Sequence, residues 1–212
     1  MPRPMNSGSF RAHVDAKEFL EAFIEAFWKC VPDKPLDQIQ CWKSLTAFIT
    51  GKQSKNGGYW EPIEKCVLPQ VADKLGLRHQ HEYLHSDLVL FSKGDPWGNL
   101  VFVEHENQIG GFGEEIEKLM SVLAPLKVGI TYGSAEQGSR LQDTLQKYFA
   151  DRHPSIHEAP ETEYLFLLGA PVDGELWGWK YLSFNILTGP NGTQFRDVGQ
   201  ELHIEGWRGC PR

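Results

Sequence analysis

The chain has 212 residues, 41% of them apolar and 23% charged, proportions that suit one globular domain with a sizeable core. No apolar run approaches the roughly 20 residues that a membrane-spanning helix needs. The start, Met1-Pro2-Arg3-Pro4-Met5-Asn6, has no hydrophobic signal core, so a cytoplasmic protein with no membrane partner is expected. A formal charge of −7 argues against a protein covered in phosphate contacts, which need Lys and Arg. It does not decide the matter, since an acidic protein can concentrate its basic residues on one face.

Asp15-Ala16-Lys17-Glu18 reads as a capping box with Asp15 as the cap. Phe19, Leu20, Phe23, Ile24 and Phe27 follow at helical spacing, which predicts a helix over 16–30, ended by Pro32 and Pro35. Leu36, Ile39, Trp42, Leu45 and Phe48 or Ile49 mark a second helix, and residues 50–58 form a loop by composition. A third helical stretch carries Ile63, Val67, Val71 and Leu75. Pro62 fits its first turn, Pro69 should kink or split it, and Gly76 lies just past its end.

From residue 79 the period changes. Segments 82–85, 87–91 and 100–106 read as strands, with Asp95-Pro96-Trp97-Gly98 as turn material between the last two. A helix over about 113–123 carries Ile116, Leu119, Met120 and Leu123 on one face. Residues 126–132 alternate like a strand, Leu141, Leu145, Tyr148 and Phe149 mark another helix, and 164–169, 177–187 and 202–207 read as strands. The link from 100–106 through a helix to 126–132 is a βαβ crossover, so those two strands should be parallel.

The four cysteines, Cys30, Cys41, Cys66 and Cys210, include no CxxC pair. They read as free thiols of a reducing compartment, neither a disulfide frame nor a zinc knuckle. Asn191-Gly192-Thr193 reads as a Gly-containing turn.

Glu104-His105-Glu106 ends the apolar run Leu100-Val101-Phe102-Val103. Residues two apart on a strand share a face, about 6.6–6.8 Å apart, so Glu104 and Glu106 project together and His105 to the other side. If the preceding hairpin loop is 92–99, residue 91 pairs with 100 and Asp87 falls opposite Glu104. Cross-strand neighbours have Cβ atoms about 4.5–5.5 Å apart, and like charges so placed repel unless a cation or a proton intervenes. Carboxylate oxygens of this kind suit Mg²⁺ or Mn²⁺. Glu104 also lies at the carboxyl end of a buried strand before a crossover, where open α/β sheets bind ligands.

In these residues the stretch from about 60 to 132 resembles the PD-(D/E)XK nuclease superfamily: a helix, a three-stranded meander, a helix and a further strand. The family motif has an acid at the start of the second strand, then acid, any residue and usually Lys in the third. Ser86-Asp87 and Glu104-His105-Glu106 stand in those places. Ser86 replaces the usual proline, and Glu106 stands where the lysine usually does. In some members the lysine has moved to the following helix, where this chain has Lys118. Lys118 is also a solvated i,i+4 partner for Glu114. Glu64, in the preceding helix, is a candidate for the extra acid that some members supply.

The resemblance implies an α/β fold with a restriction-endonuclease-like core over 60–169, a helical extension over 16–58 and a C-terminal strand extension over 170–212, all in one domain. It implies metal-assisted phosphodiester hydrolysis, with Asp87 and Glu104 holding Mg²⁺ or Mn²⁺, Glu106 orienting water or holding a second ion, and nucleic acid as the partner. The flexible stretch 107–113 is a candidate substrate contact. Whether the chain works alone or as a homodimer stays open.

Two other readings compete. His85-Ser86-Asp87 fits half of a two-His-one-carboxylate iron site, with His153, His157 or His203 as third ligand. A non-catalytic interaction protein on a nuclease-like scaffold fits the acidity and the missing motif lysine, with tryptophans such as Trp177 and Trp179 as a binding surface. On a partly exposed strand, His79, His81 and His85 are simply alternating residues.

Overall fold

The computed structural model describes residues 13–30, 63–83, 85–94, 98–106, 110–134, 136–137, 140–152, 162–172, 176–189, 192–195 and 198–208, with side chains of 28, 99, 141, 150–152, 170–178 and those beyond 183 outside the description. The expected second helix over 36–49 and the loop 50–58 lie outside the described residues.

Helix α1 (Ala16–Cys30) begins where its sequence says it should. The N–H of Glu18 donates to Asp15 Oδ1 at 2.8 Å and that of Asp15 to Glu18 Oε2 at 3.4 Å, the reciprocal bonds of a capping box. Glu163, far along the chain, accepts the Ala16 N–H at 2.8 Å and so fixes the start of the helix to the sheet. The third helical stretch is split as Pro69 requires. A π-turn (Ile63–Val67) runs into α2 (Leu68–Lys74), whose first turn holds the proline, and Gly76 follows at φ 70°.

The strands are β1 (Arg78–Tyr83), β2 (Ser86–Phe91), β3 (Asn99–Glu106), β4 (Leu126–Tyr132), β5 (Glu163–Val172), β6 (Leu176–Gly189), β7 (Gly192–Phe195) and β8 (Val198–Arg208). Helix α3 (Phe112–Ser121) joins β3 to β4, and α4 (Leu141–Arg152) joins β4 to β5. The sheet order is β1-β2-β3-β4-β5-β6, with β7 and β8 both paired to β6. β1, β2 and β3 form an antiparallel meander, and β3, β4 and β5 are parallel. The crossover expectation therefore holds. β1 starts four residues earlier than the alternation suggested, and His85 lies in the turn after it, not in the strand.

Both faces of the sheet are covered, which is why the central strands read as continuous apolar runs. Val101, Val103, Val128, Ile130, Leu165 and Leu167 face α1, the π-turn and α2. Phe102, Tyr164, Phe166 and Leu168 face α3 and α4. Trp179, a candidate binding-surface residue only under the scaffold reading, is fully buried, its ring 5.1 Å from that of Phe23 and 5.5 Å from that of Phe27. A large apolar ring covered by α1 contributes to the core.

The free-thiol reading fails for two cysteines. Cys30, at the end of α1, and Cys66, in the π-turn, form a disulfide with Cα atoms 6.0 Å apart. Packing α1 against the π-turn brings together residues 36 positions apart. Cys41 and Cys210 lie outside the described residues. Among those described, no helix is long and apolar enough to cross a membrane.

Candidate metal centre

The β2–β3 ladder pairs Leu90 with Val101, Val89 with Phe102 and Leu88 with Val103. A bulge separates Leu90 from Phe91, which pairs with Asn99, so the hairpin closes differently from the 91-to-100 pairing expected from the loop. Past the bulge the register is the expected one, and continued by one residue it sets Asp87 opposite Glu104. There the ladder ends, because the His105 N–H donates to Asp87 Oδ2 at 2.7 Å.

Strand alternation directs Asp87 and Glu104 to the face that carries Val89 and Phe102, under α3. Helix α3 brings Glu115 and Lys118 to the same place. Phe112, Ile116, Leu119 and Met120 are its buried face, and residues 115 and 118, three apart, are neighbours on its flank. Carboxylate oxygens of Asp87, Glu104 and Glu115 all lie within 4.8 Å of one another. Lys118 Nζ stands 2.6 Å from Glu115 Oε2 and 3.7 Å from Glu104 Oε2. An open depression of about 540 Å³, lined by Glu82, His85, Ser86, Asp87 and Lys118, leads to the cluster. Glu82 and His85 have left-handed backbones, φ 51° and 65°, uncommon for residues with side chains.

Three acids this close cannot all stay ionised without a counter-charge. Glu104 is 1% exposed. Burial, a carboxyl–carboxyl hydrogen bond with Glu115 and the charge of Asp87 push its pKa up to about 9, with Lys118 opposing. Burial also raises Asp87, against the pull of the His105 N–H. The ion-pairing hydrogen bond to Glu115 raises Lys118, which stays a cation. Glu104 Oε2 is buried without a hydrogen-bond partner. Its nearest counter-charge is Lys118 Nζ at 3.7 Å, and a buried carboxylate oxygen without a hydrogen bond in a carboxylate-rich cluster is what a hard divalent cation would satisfy.

Asp87 and Glu104 therefore come together, and Glu115 is the third member of the trio. Glu106, expected there, is not one of the three: it shares the face but lies about 6.6–6.8 Å farther along β3, its carboxylate beside Gly111. Lys118 contacts Glu104 and Glu115, not the Glu114 that i,i+4 spacing suggested. Glu64 is on the opposite face, its Oε1 2.8 Å from His105 Nδ1. Glu115 belongs to no motif in the sequence; it joins the trio through the packing of α3 on the sheet.

The HxD alternative loses His203. It lies on β8 opposite Gly178 of β6, and five strand spacings of about 4.8 Å separate β8 from β2. His153 and His157 lie outside the described residues. His79 and His81 are exposed on β1, as their alternation suggested. The sequence matches no protein-family model and no curated protein.

Proposed function

We propose that the chain is a divalent-metal-dependent phosphodiesterase of the PD-(D/E)XK type acting on nucleic acid, with Mg²⁺ or Mn²⁺ held by Asp87, Glu104 and Glu115. The observation that carries this reading is the convergence of an acid from β2, an acid from β3 and a lysine from the next helix around one buried carboxylate oxygen that has no hydrogen bond. The order helix, antiparallel meander, helix and parallel strand supports a restriction-endonuclease-like core as the frame.

A bound cation would supply Lewis-acid activation of water and charge stabilisation on the phosphate. Glu104 would release its proton to serve as a ligand. Asp87, held through Oδ2 by the His105 N–H, would present its other oxygen. Lys118 borders the depression, where its ammonium would meet a phosphate oxygen, in the part the resemblance gives to a migrated motif lysine. Glu106 would have no share in this first ion.

Cleavage of single- and double-stranded DNA and RNA should be assayed with Mg²⁺ and Mn²⁺, beside Asp87→Ala. Metal-dependent cleavage that Asp87→Ala abolishes supports the reading; cleavage retained in that variant, or absent from the wild type on every substrate, refutes it. The net charge of −7 favours one alternative, a non-catalytic protein on the same scaffold, which hydrolyses nothing and need not bind Mn²⁺ at all.

A further inference from the structure

Behind the acidic trio, on the other face of the sheet, lies a second polar cluster that the proposed chemistry does not use. His105 points away from Glu104, and its side chain is 1% exposed. Its Nδ1 is 2.8 Å from Glu64 Oε1 and its Nε2 is 3.0 Å from Tyr132 Oη. Tyr132 sits at the end of β4 and is buried. With a neutral ring both bonds are satisfied in one sense only: Nδ1–H donates to Glu64, and Tyr132 O–H donates to Nε2. The ring is fixed by one group from the π-turn and one from β4, on two sides.

This matters at the site because by His105 the backbone pairing of β3 with β2 has ended, while its pairing with β4 continues to Glu106. The last backbone pair with β2 is Leu88 with Val103. From Glu104 onward the β2 side of the strand is tied by the bond from the His105 N–H to Asp87 Oδ2. The same residue therefore has its ring anchored on one face and its amide holding a carboxylate on the other.

We propose that His105 is a positioning residue for the metal centre, and that Glu64 and Tyr132 act on the site through it and not by touching the ion. The inference rests on the metal-site reading above. Glu64 acts here as a hydrogen-bond acceptor, so its charge is dispensable and its oxygen is not. Outer partners that orient metal ligands typically change affinity about 10- to 100-fold when removed.

The experiment is a Mn²⁺ titration by calorimetry on folded wild type, Glu64→Ala, Glu64→Gln, Tyr132→Phe and Val101→Ala. Val101 is buried on the same face and makes no polar contact, so its truncation reports what lost stability alone does to affinity. Glu64→Ala and Tyr132→Phe should weaken Mn²⁺ by at least about 10-fold, while Glu64→Gln, which keeps the acceptor, and Val101→Ala should bind like wild type. If Glu64→Gln is as weak as Glu64→Ala, Glu64 works through its charge and the inference is overturned. It is overturned equally if Val101→Ala weakens binding as much, or if Glu64→Ala and Tyr132→Phe bind normally. If Glu64→Ala does not fold, Tyr132→Phe, which loses one oxygen, decides against the same control. Wild type that binds no Mn²⁺ removes the metal-site reading itself, and this inference with it.

Discussion

Gly129 of β4 is the register partner of Glu104 across the parallel β3–β4 ladder, and the absence of its Cβ is what lets α3 lie close over the acids. A Cβ built there would come within 2.7 Å of Phe112 Cζ and 2.7 Å of Phe166 Cδ1. Phe112 begins α3, the helix that carries Glu115 and Lys118. Gly129→Ala should therefore force the helix outward, at a cost of about 1–3 kcal/mol for overpacking. It should also weaken Mn²⁺ binding, because two of the converging groups move with the helix. Denaturant melts and Mn²⁺ titration of this variant check both; an alanine accepted with unchanged stability and affinity would show that α3 has room to spare.

The pH dependence of the metal-free protein has a definite sign. Glu104, with an ordinary value of 4.5, is held at about 9, so the folded state binds its proton more tightly than the unfolded state does. The resulting stabilisation is fully present below about pH 4.5 and is lost as pH rises through about 9. Glu104→Gln should flatten that decline and melt higher than wild type near pH 9 without metal. Thermal melts from pH 5 to 9 test this; a Glu104→Gln protein with the same slope as wild type would remove Glu104 as its source.

The same proton competes with the cation, since a metal ligand must be deprotonated. Mn²⁺ binding should tighten with rising pH up to about 9, the value at which Glu104 ionises unaided. Calorimetry in two buffers of different ionisation heat should register protons released on binding. A pH-independent affinity with no proton release would leave Glu104 outside the coordination.

The disulfide gives a prediction independent of the metal. Cys30 and Cys66 close a loop of 36 residues, for which chain entropy assigns about 4 kcal/mol. Cys66→Ser, or wild type in reductant, should lose stability of that order in urea melts, while reductant should leave the Cys66→Ser protein unchanged. A wild type indifferent to reductant, in which a thiol reagent labels both Cys30 and Cys66, contradicts the link.

Local pattern made part of this legible. Capping at Asp15 and Glu18, the proline that splits the helix at Leu68, and the apolar runs of β3 and β4 are properties of neighbouring residues, and they placed the elements. The opposition of Asp87 and Glu104 was also within reach, because a hydrophobic ladder tolerates few registers; the bulge before Phe91 altered the hairpin end and not the pairing beyond it. Glu106 falls outside the trio because alternation assigns a face but not where along the strand the partner helix lands. Glu115 and the Cys30–Cys66 pair depend on how α3 and α1 pack, and contacts between helix and sheet at such separations leave no periodic trace.

The most direct test of the metal centre is a Mn²⁺ titration of the wild type and Glu104→Gln at pH 8, with the melting temperature of each preparation measured beside it. The wild type should bind Mn²⁺ and gain stability by mass action, about 2.7 kcal/mol at a hundredfold excess over the dissociation constant. Glu104→Gln should stay folded, melt no lower than metal-free wild type and give no heat of binding. Wild type that shows neither binding heat nor a shifted melt in millimolar Mn²⁺, or Glu104→Gln that binds as tightly as wild type, would contradict the account.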